Sequence, residues 1–344
     1  MDGETHATRA RPAAASAVPE PQAPCNVGPV PPSGDQATSP VRRPAGPRSR
    51  FASSLRVWAD MVKLSHSVFA LPFAVTAAFL AGRGLDGGRP RFGQLGLIVV
   101  CMVAARSVAM TFNRIIDARI DARNPRTASR PLPAGRLTFA AAWLMLGLSV
   151  ITFGIGCMGF HMLYGNALPI LLSGPVLLYL CGYSLTKRFT SWSHVYLGTA
   201  IALSPVATWL AIHPESLGPP ALVLMLSVTC WIAGFDIIYA CQDIDVDRRD
   251  GLFSLPARIG PARALLIARV AHALTVAGLV TLGYVAGLGW VYGTGVAAVA
   301  CLLVVENRLV KPDDYRRVNL AFFTMNGAVS LVLAAAAVID ILLV

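Results

Sequence analysis

The chain has 344 residues, 55% of them hydrophobic and only 14% charged, with a formal net charge of +11. A soluble globular domain carries about 25% charged residues, so this composition excludes an ordinary water-soluble enzyme and points to a polytopic membrane protein. The positive charge is concentrated in an N-terminal segment and in one set of loops, which speaks for membrane orientation and against a nucleic-acid partner.

Residues 1–52 are rich in Pro, Ala, Gly and Ser and nearly free of large apolar side chains. Such a segment cannot bury enough surface to offset its chain entropy, so a disordered tail is expected, followed by a transmembrane domain over 53–344. It has no continuous apolar run of the kind a cleavable signal peptide needs. Beyond it, apolar segments long enough to cross a bilayer predict nine helices: 64–82, 94–118, 138–157, 164–185, 194–212, 220–242, 263–283, 287–305 and 318–342. The fold class is therefore all-α, a multi-pass bundle in the lipid bilayer.

Alternate connections are basic. One set holds Arg119, Arg123, Arg126, Arg130 and Arg136, then Lys187 and Arg188, then Arg248, Arg249 and Arg258, then Arg308, Lys311, Arg316 and Arg317. Of the opposite set, only "GRGLDGGRPRF" carries arginine. The basic side is expected to be cytoplasmic, together with the N-terminus, in an inner (cell) membrane. The seven cysteines form no CxxC pair and the six histidines no HExxH. They read as packing residues rather than as a metal or redox centre.

Two stretches at the basic ends of helices break the apolar pattern. Asn113, Asp117 and Asp121 are spaced i, i+4, i+8 at the end of the second span, which places them on one helical stripe. Asp236, Tyr239, Asp243 and Asp247 form a second stripe at the end of the sixth span, with Asp250 nearby. Each is followed by arginines and a Leu-Pro loop, Leu132-Pro133 and Leu255-Pro256, which suggests a weak internal repeat. Carboxylates on one stripe suit a cation, and neighbouring arginines suit an anion. A magnesium-bound diphosphate satisfies both, because Mg²⁺ takes one or two carboxylates plus phosphate oxygens. Charge so close to the hydrocarbon is costly and usually functional.

These residues resemble the motifs of the intramembrane UbiA-type prenyltransferases. The first motif reads Asn113, Asp117, Asp121, Arg126-Thr127 and Arg130-Pro131. The second reads Asp236, Tyr239-Ala240, Asp243 and Asp247. A third, Tyr followed by Lys-Arg, reads Tyr183, Lys187 and Arg188. The resemblance covers about residues 55–344. Within the family, "LSHSVFALPFA" and "FDIIYACQD" look most like the 4-hydroxybenzoate polyprenyltransferase branch, including members that serve futalosine-type menaquinone synthesis. Two positions depart from many relatives: Arg114 stands where an Asp is common, and Phe253 where a Lys is common.

The resemblance implies a nine-helix bundle with a central cavity capped by the two acidic loops. It implies Mg²⁺ as cofactor, held by Asp117, Asp121, Asp243 and Asp247, with Asn113 orienting the first of them. Arg126, Arg130, Lys187 and Arg188 would bind the diphosphate of a polyprenyl diphosphate, and Asp236 would also face substrate. Tyr239 could stabilise the allylic cation through its ring face. Arg106 lies two turns before Asn113, about 10 Å deeper. It either binds the carboxylate of an aromatic hydroxy acid or makes a structural pair, for instance with Asp60. The competing readings are a transporter, which would place its acids near mid-span, and a phosphatidyltransferase of the CDP-alcohol type, whose motif is absent. Prenylation of haem or chlorophyll precursors is the alternative within the superfamily.

Overall fold

The computed structural model describes residues 47–62 and 69–343. The stretch 1–46, most of the expected tail, lies outside the described residues. All elements among the described residues are helical: α1 (Pro47–Val62), α2 (Leu71–Gly82), α3 (Phe92–Arg123), α4 (Phe139–Tyr164), α5 (Leu168–Thr186), α6 (Ser193–Ile212), α7 (Pro219–Ala240), α8 (Ile244–Arg249), α9 (Leu255–Ile259), α10 (Pro261–Val285), α11 (Trp290–Leu309) and α12 (Asn326–Leu343). Eight segments are long and apolar enough to cross a membrane, and the shorter α2 occupies the place of the first predicted span. Helix α1 was not anticipated by the span pattern, and it starts at Pro47, inside the stretch assigned to the tail.

The helix boundaries follow local chemistry. Proline opens α2, α5, α7, α9 and α10, where a missing N–H costs nothing. Thr138 caps α4 by accepting from the Ala141 amide at 3.2 Å. Gly165 ends the same helix at φ 73°, a conformation that only glycine adopts at no steric cost.

Packing runs in a closed circuit: α2 against α6, α6 against α7, α7 against α10, α10 against α11, α11 against α12, and α12 back against α2. Helices α3, α4 and α5 pack on one another beside it. Small residues permit the tightest crossings, as expected where lipid supplies no hydrophobic force between helices. A β-carbon at Gly198 of α6 would lie 2.5 Å from the Thr229 carbonyl of α7, and one at Gly234 of α7 would overlap the His272 ring of α10. Helix α7 is the most enclosed span, with 67% of its apolar window buried, so the second acidic stripe hangs from the centre of the bundle. Helix α1 lies against the ends of α3 and α4. Trp58 donates its indole hydrogen to Thr111 at 2.8 Å, and Met61 packs with Ala118, Leu132, Leu137 and Ala142.

Candidate active site

The first stripe sits on α3, which runs past its predicted end to Arg123. Apolar residues interleave the charges there, and Ala118 and Ile115 pack against α1 and the following loop. Asn113 donates to Asp117 at 2.7 Å, as same-stripe neighbours should. Each four-residue step drifts by about 40°, however, so Asp121 is rotated about 80° from Asn113. It turns toward Arg114, at 3.2 Å, and Arg130, at 2.6 Å. Thr127 closes the helix end by donating to the Asp121 carbonyl at 3.0 Å.

The second stripe is not one unbroken helix. Helix α7 passes through a 3-10 turn at Cys241–Asp243 into α8, which re-aims the side chains beyond it. Asp236 meets His194 of α6 at 2.7 Å. The Leu255 amide donates to the other nitrogen of that ring at 3.2 Å, so Nε2 is the acceptor and Nδ1–H points to Asp236. Asp243 is gripped by Arg126, whose Nε and Nη2 donate at 3.0 and 2.6 Å, and it accepts from Asn124 at 3.1 Å. Arg126 also donates to the Tyr239 hydroxyl at 3.0 Å and lies 5.3 Å from the centre of its ring. Phe322 packs on the same ring, with centroids 4.3 Å apart. Asp247 is 2.7 Å from Lys187, while its second oxygen is buried without a hydrogen-bond partner.

The third signature ties the two stripes together. Lys187 goes to Asp247, and the next residue, Arg188, goes to Asp117 at 2.9 Å. The backbone closes the same junction, since the Phe253 amide donates to the Lys187 carbonyl at 2.8 Å. Phe253 itself carries the Arg258 guanidinium 3.9 Å above its ring, so a cation stands over this loop although residue 253 is not one. Arg123 and Arg249 flank Asp250 at 3.6 and 3.1 Å. Arg106 is half-buried on α3, seven residues below Asn113.

The structure therefore brings the predicted cations onto the predicted acids, and adds Asn124 and His194. Asn124 directly follows the first stripe, a position the motif spacing does not highlight. His194 has no local signal, because its partners come from α7 and α9. Burial of the Arg126 guanidinium opposes its charge, but the bonds and negative charge of Asp243 overcome this and raise its pKa above that of a free arginine.

Among the described residues, no three His, Cys, Asp or Glu side chains converge into a ready-made metal cage. The donor set still fits Mg²⁺. It is all carboxylate oxygen, the kind that ion prefers, and one of these oxygens, Asp247 Oδ2, is buried and unmatched. What it lacks are the further oxygens that a phosphate ligand would bring.

Residues 70–328 match the model of the UbiA prenyltransferase family. The chain is 29% identical over 262 residues to the 4-hydroxybenzoate octaprenyltransferase of Chromohalobacter salexigens, covering 76% of this chain and 84% of that protein. Among solved structures, the apo structure of a UbiA homologue from Aeropyrum pernix superposes with a TM-score of 0.71 at 28% identity, over 81% of this chain and 98% of the other. A UbiA homologue from Archaeoglobus fulgidus bound to DMAPP and Mg²⁺ shares the fold at TM-score 0.61 and 17% identity, over 83% of this chain and 99% of the other. With its motifs interlocked at one face of an apolar helical bundle, this chain belongs to the UbiA prenyltransferase family and is an integral-membrane aromatic prenyltransferase.

Proposed function

We propose that the chain transfers a polyprenyl group from a polyprenyl diphosphate to a ring carbon of an aromatic hydroxy acid, 4-hydroxybenzoate or a hydroxynaphthoate, in respiratory quinone biosynthesis. The observation that carries this reading is the pairing of five cations, Arg114, Arg126, Arg130, Lys187 and Arg188, with four carboxylates, Asp117, Asp121, Asp243 and Asp247, drawn from two distant motifs. A site that holds both signs in balance is suited to a ligand that brings both signs.

Mg²⁺, when bound by Asp117, Asp121, Asp243 and Asp247, supplies positive charge to the diphosphate oxygens. The Archaeoglobus fulgidus homologue, with DMAPP and Mg²⁺ bound, supports this assignment. The chain's own cations do the rest. Arg126, Arg130, Lys187 and Arg188 exchange carboxylate for diphosphate and stabilise the negative charge that grows as the C1–O bond breaks, with both electrons leaving on the diphosphate. Asn113 holds Asp117 in place. Tyr239 sits at the boundary between the charged cap and the aromatic interior, beside the position where the allylic carbon becomes cationic. Arg106, deeper on α3, binds the acceptor's carboxylate, and Asp236, held by His194, faces the substrate. The acceptor ring carbon then bonds to C1, and its proton passes to water.

The excess of Lys and Arg in the loops that carry the site supports a cytoplasmic location for it. The test of the reaction is to incubate purified protein with Mg²⁺, geranyl diphosphate and each aromatic acid in turn, and to weigh the product. A product heavier than the acid by one geranyl group, dependent on Mg²⁺, is expected. Hydrolysis of the diphosphate with no adduct to either acid overturns the acceptor assignment.

A further inference from the structure

We propose that a groove between α10 and α11, on the face that carries the site, binds an anionic phospholipid. Its phosphate is held by Arg269, Arg308 and Lys311, and an acyl chain lies along the apolar wall. The cavity measures about 560 Å³, within the range of about 300–1,000 Å³ typical of small-molecule sites. The two helices are antiparallel, and their register is set by Asn307, which donates to His272 at 2.7 Å. From that bond, Arg269 lies one turn toward the site face on α10, and Arg308 and Lys311 lie within about one turn on the α11 side. Away from that face the wall is apolar, with Ala273, Val276 and Val304 among its residues.

Two observations distinguish these cations from those of the candidate active site. No acid lines the cavity, and among the described residues no ion pair is formed by Arg269, Arg308 or Lys311, whereas Arg114, Arg126, Arg130, Lys187 and Arg188 each meet a carboxylate. Uncompensated positive charge beside an apolar wall calls for an anion with a hydrocarbon body. The surroundings specify the source. Leu266, Val270, Leu274 and Val305 next to the groove are exposed apolar residues, which on a membrane bundle face lipid. Basic pockets between spanning helices are recurrent sites for anionic headgroups. The prenyl diphosphate is the less suitable occupant, because the groove has none of the carboxylates that a magnesium-bound diphosphate uses.

The test uses the full chain in nonionic detergent and native mass spectrometry, with phosphatidylglycerol and phosphatidylcholine of equal chain length. A contribution of roughly fivefold per cation predicts that phosphatidylglycerol binds roughly 100-fold more tightly than phosphatidylcholine. The double variant Arg269→Gln/Arg308→Gln should lose most of that preference. Ala273→Trp keeps every cation and fills the apolar wall, and it should also lower occupancy, which separates a groove from simple charge attraction. Arg263→Gln, on α10 but outside the cavity, should change nothing. Equal loss in Arg263→Gln, no preference for the anionic lipid, or displacement of phosphatidylglycerol by geranyl diphosphate would each overturn the proposal. If the double variant fails to fold, the Ala273→Trp and Arg263→Gln pair still decides it.

Discussion

Arg126 and Asp243 meet through two parallel hydrogen bonds, at 3.0 and 2.6 Å, although they come from different motifs, one in the loop after α3 and the other in the 3-10 turn after α7. The loop after α3 is thereby fastened to the end of α7, and the pair links the two halves of the site. Arg126→Ala should lower turnover about 100-fold, the usual loss when one pre-placed donor to developing charge is removed. Arg126→Lys should recover only part of it, because an ammonium cannot reproduce the two-bond grip. Steady-state kcat for the two variants checks this, and equal activity in both would mean that charge alone matters.

Asp117→Asn and Asp243→Asn should each abolish transfer while leaving expression and thermal stability near normal, since an amide is a poor Mg²⁺ ligand. EDTA should have the same effect on the parent protein, reversed by added Mg²⁺. Calorimetry should find weak Mg²⁺ binding alone and much tighter binding with pyrophosphate present, because among the described residues no three donors converge without it. Tight binding of the metal alone would contradict the shared-ligand reading.

Lys187 and Arg188 are neighbours that serve opposite stripes. Lys187→Ala should raise the KM for the prenyl diphosphate far more than the KM for the aromatic acid, and so should Arg188→Ala. If both parameters stay unchanged in Lys187→Ala, that lysine is a topological charge and not a ligand.

Arg106→Leu should raise the acceptor KM steeply and leave the diphosphate KM nearly unchanged. The residue lies about 10 Å along α3 from Asn113, too deep for the capped head of the prenyl donor. A shift in the diphosphate KM instead would assign Arg106 to the leaving-group site.

His194 accepts from Leu255 and donates to Asp236, a bridge between α6, α7 and α9. His194→Ala should lower kcat about 10- to 100-fold, the range seen when the partner of a functional carboxylate is lost, with little change in thermal stability. His194→Gln, whose amide also offers one donor and one acceptor, should recover part of the activity. Equal loss in both variants with a matching fall in stability would make the histidine a packing residue.

Much of this protein is legible from residue order because lipid imposes simple rules. A backbone without water must satisfy its own hydrogen bonds, so the apolar runs dictate helices, and a 3.6-residue period places Asn113 beside Asp117 and Tyr239 near Asp243. Periodicity describes one helix at a time. It overstates the second stripe: Asp236 stays on α7 and meets His194, while the 3-10 turn at Cys241–Asp243 re-aims Asp247 toward Lys187. It also passes over α1, which is too polar to register as a span and is held by Trp58 and Met61 against α3 and α4. Which cation meets which acid depends on the order in which helices pack around α7, and on small residues such as Gly198 and Gly234 that let them approach. The contacts that join the motifs link residues far apart in the chain, 71 positions for Arg188–Asp117 and 117 for Arg126–Asp243, so only the tertiary structure could decide them.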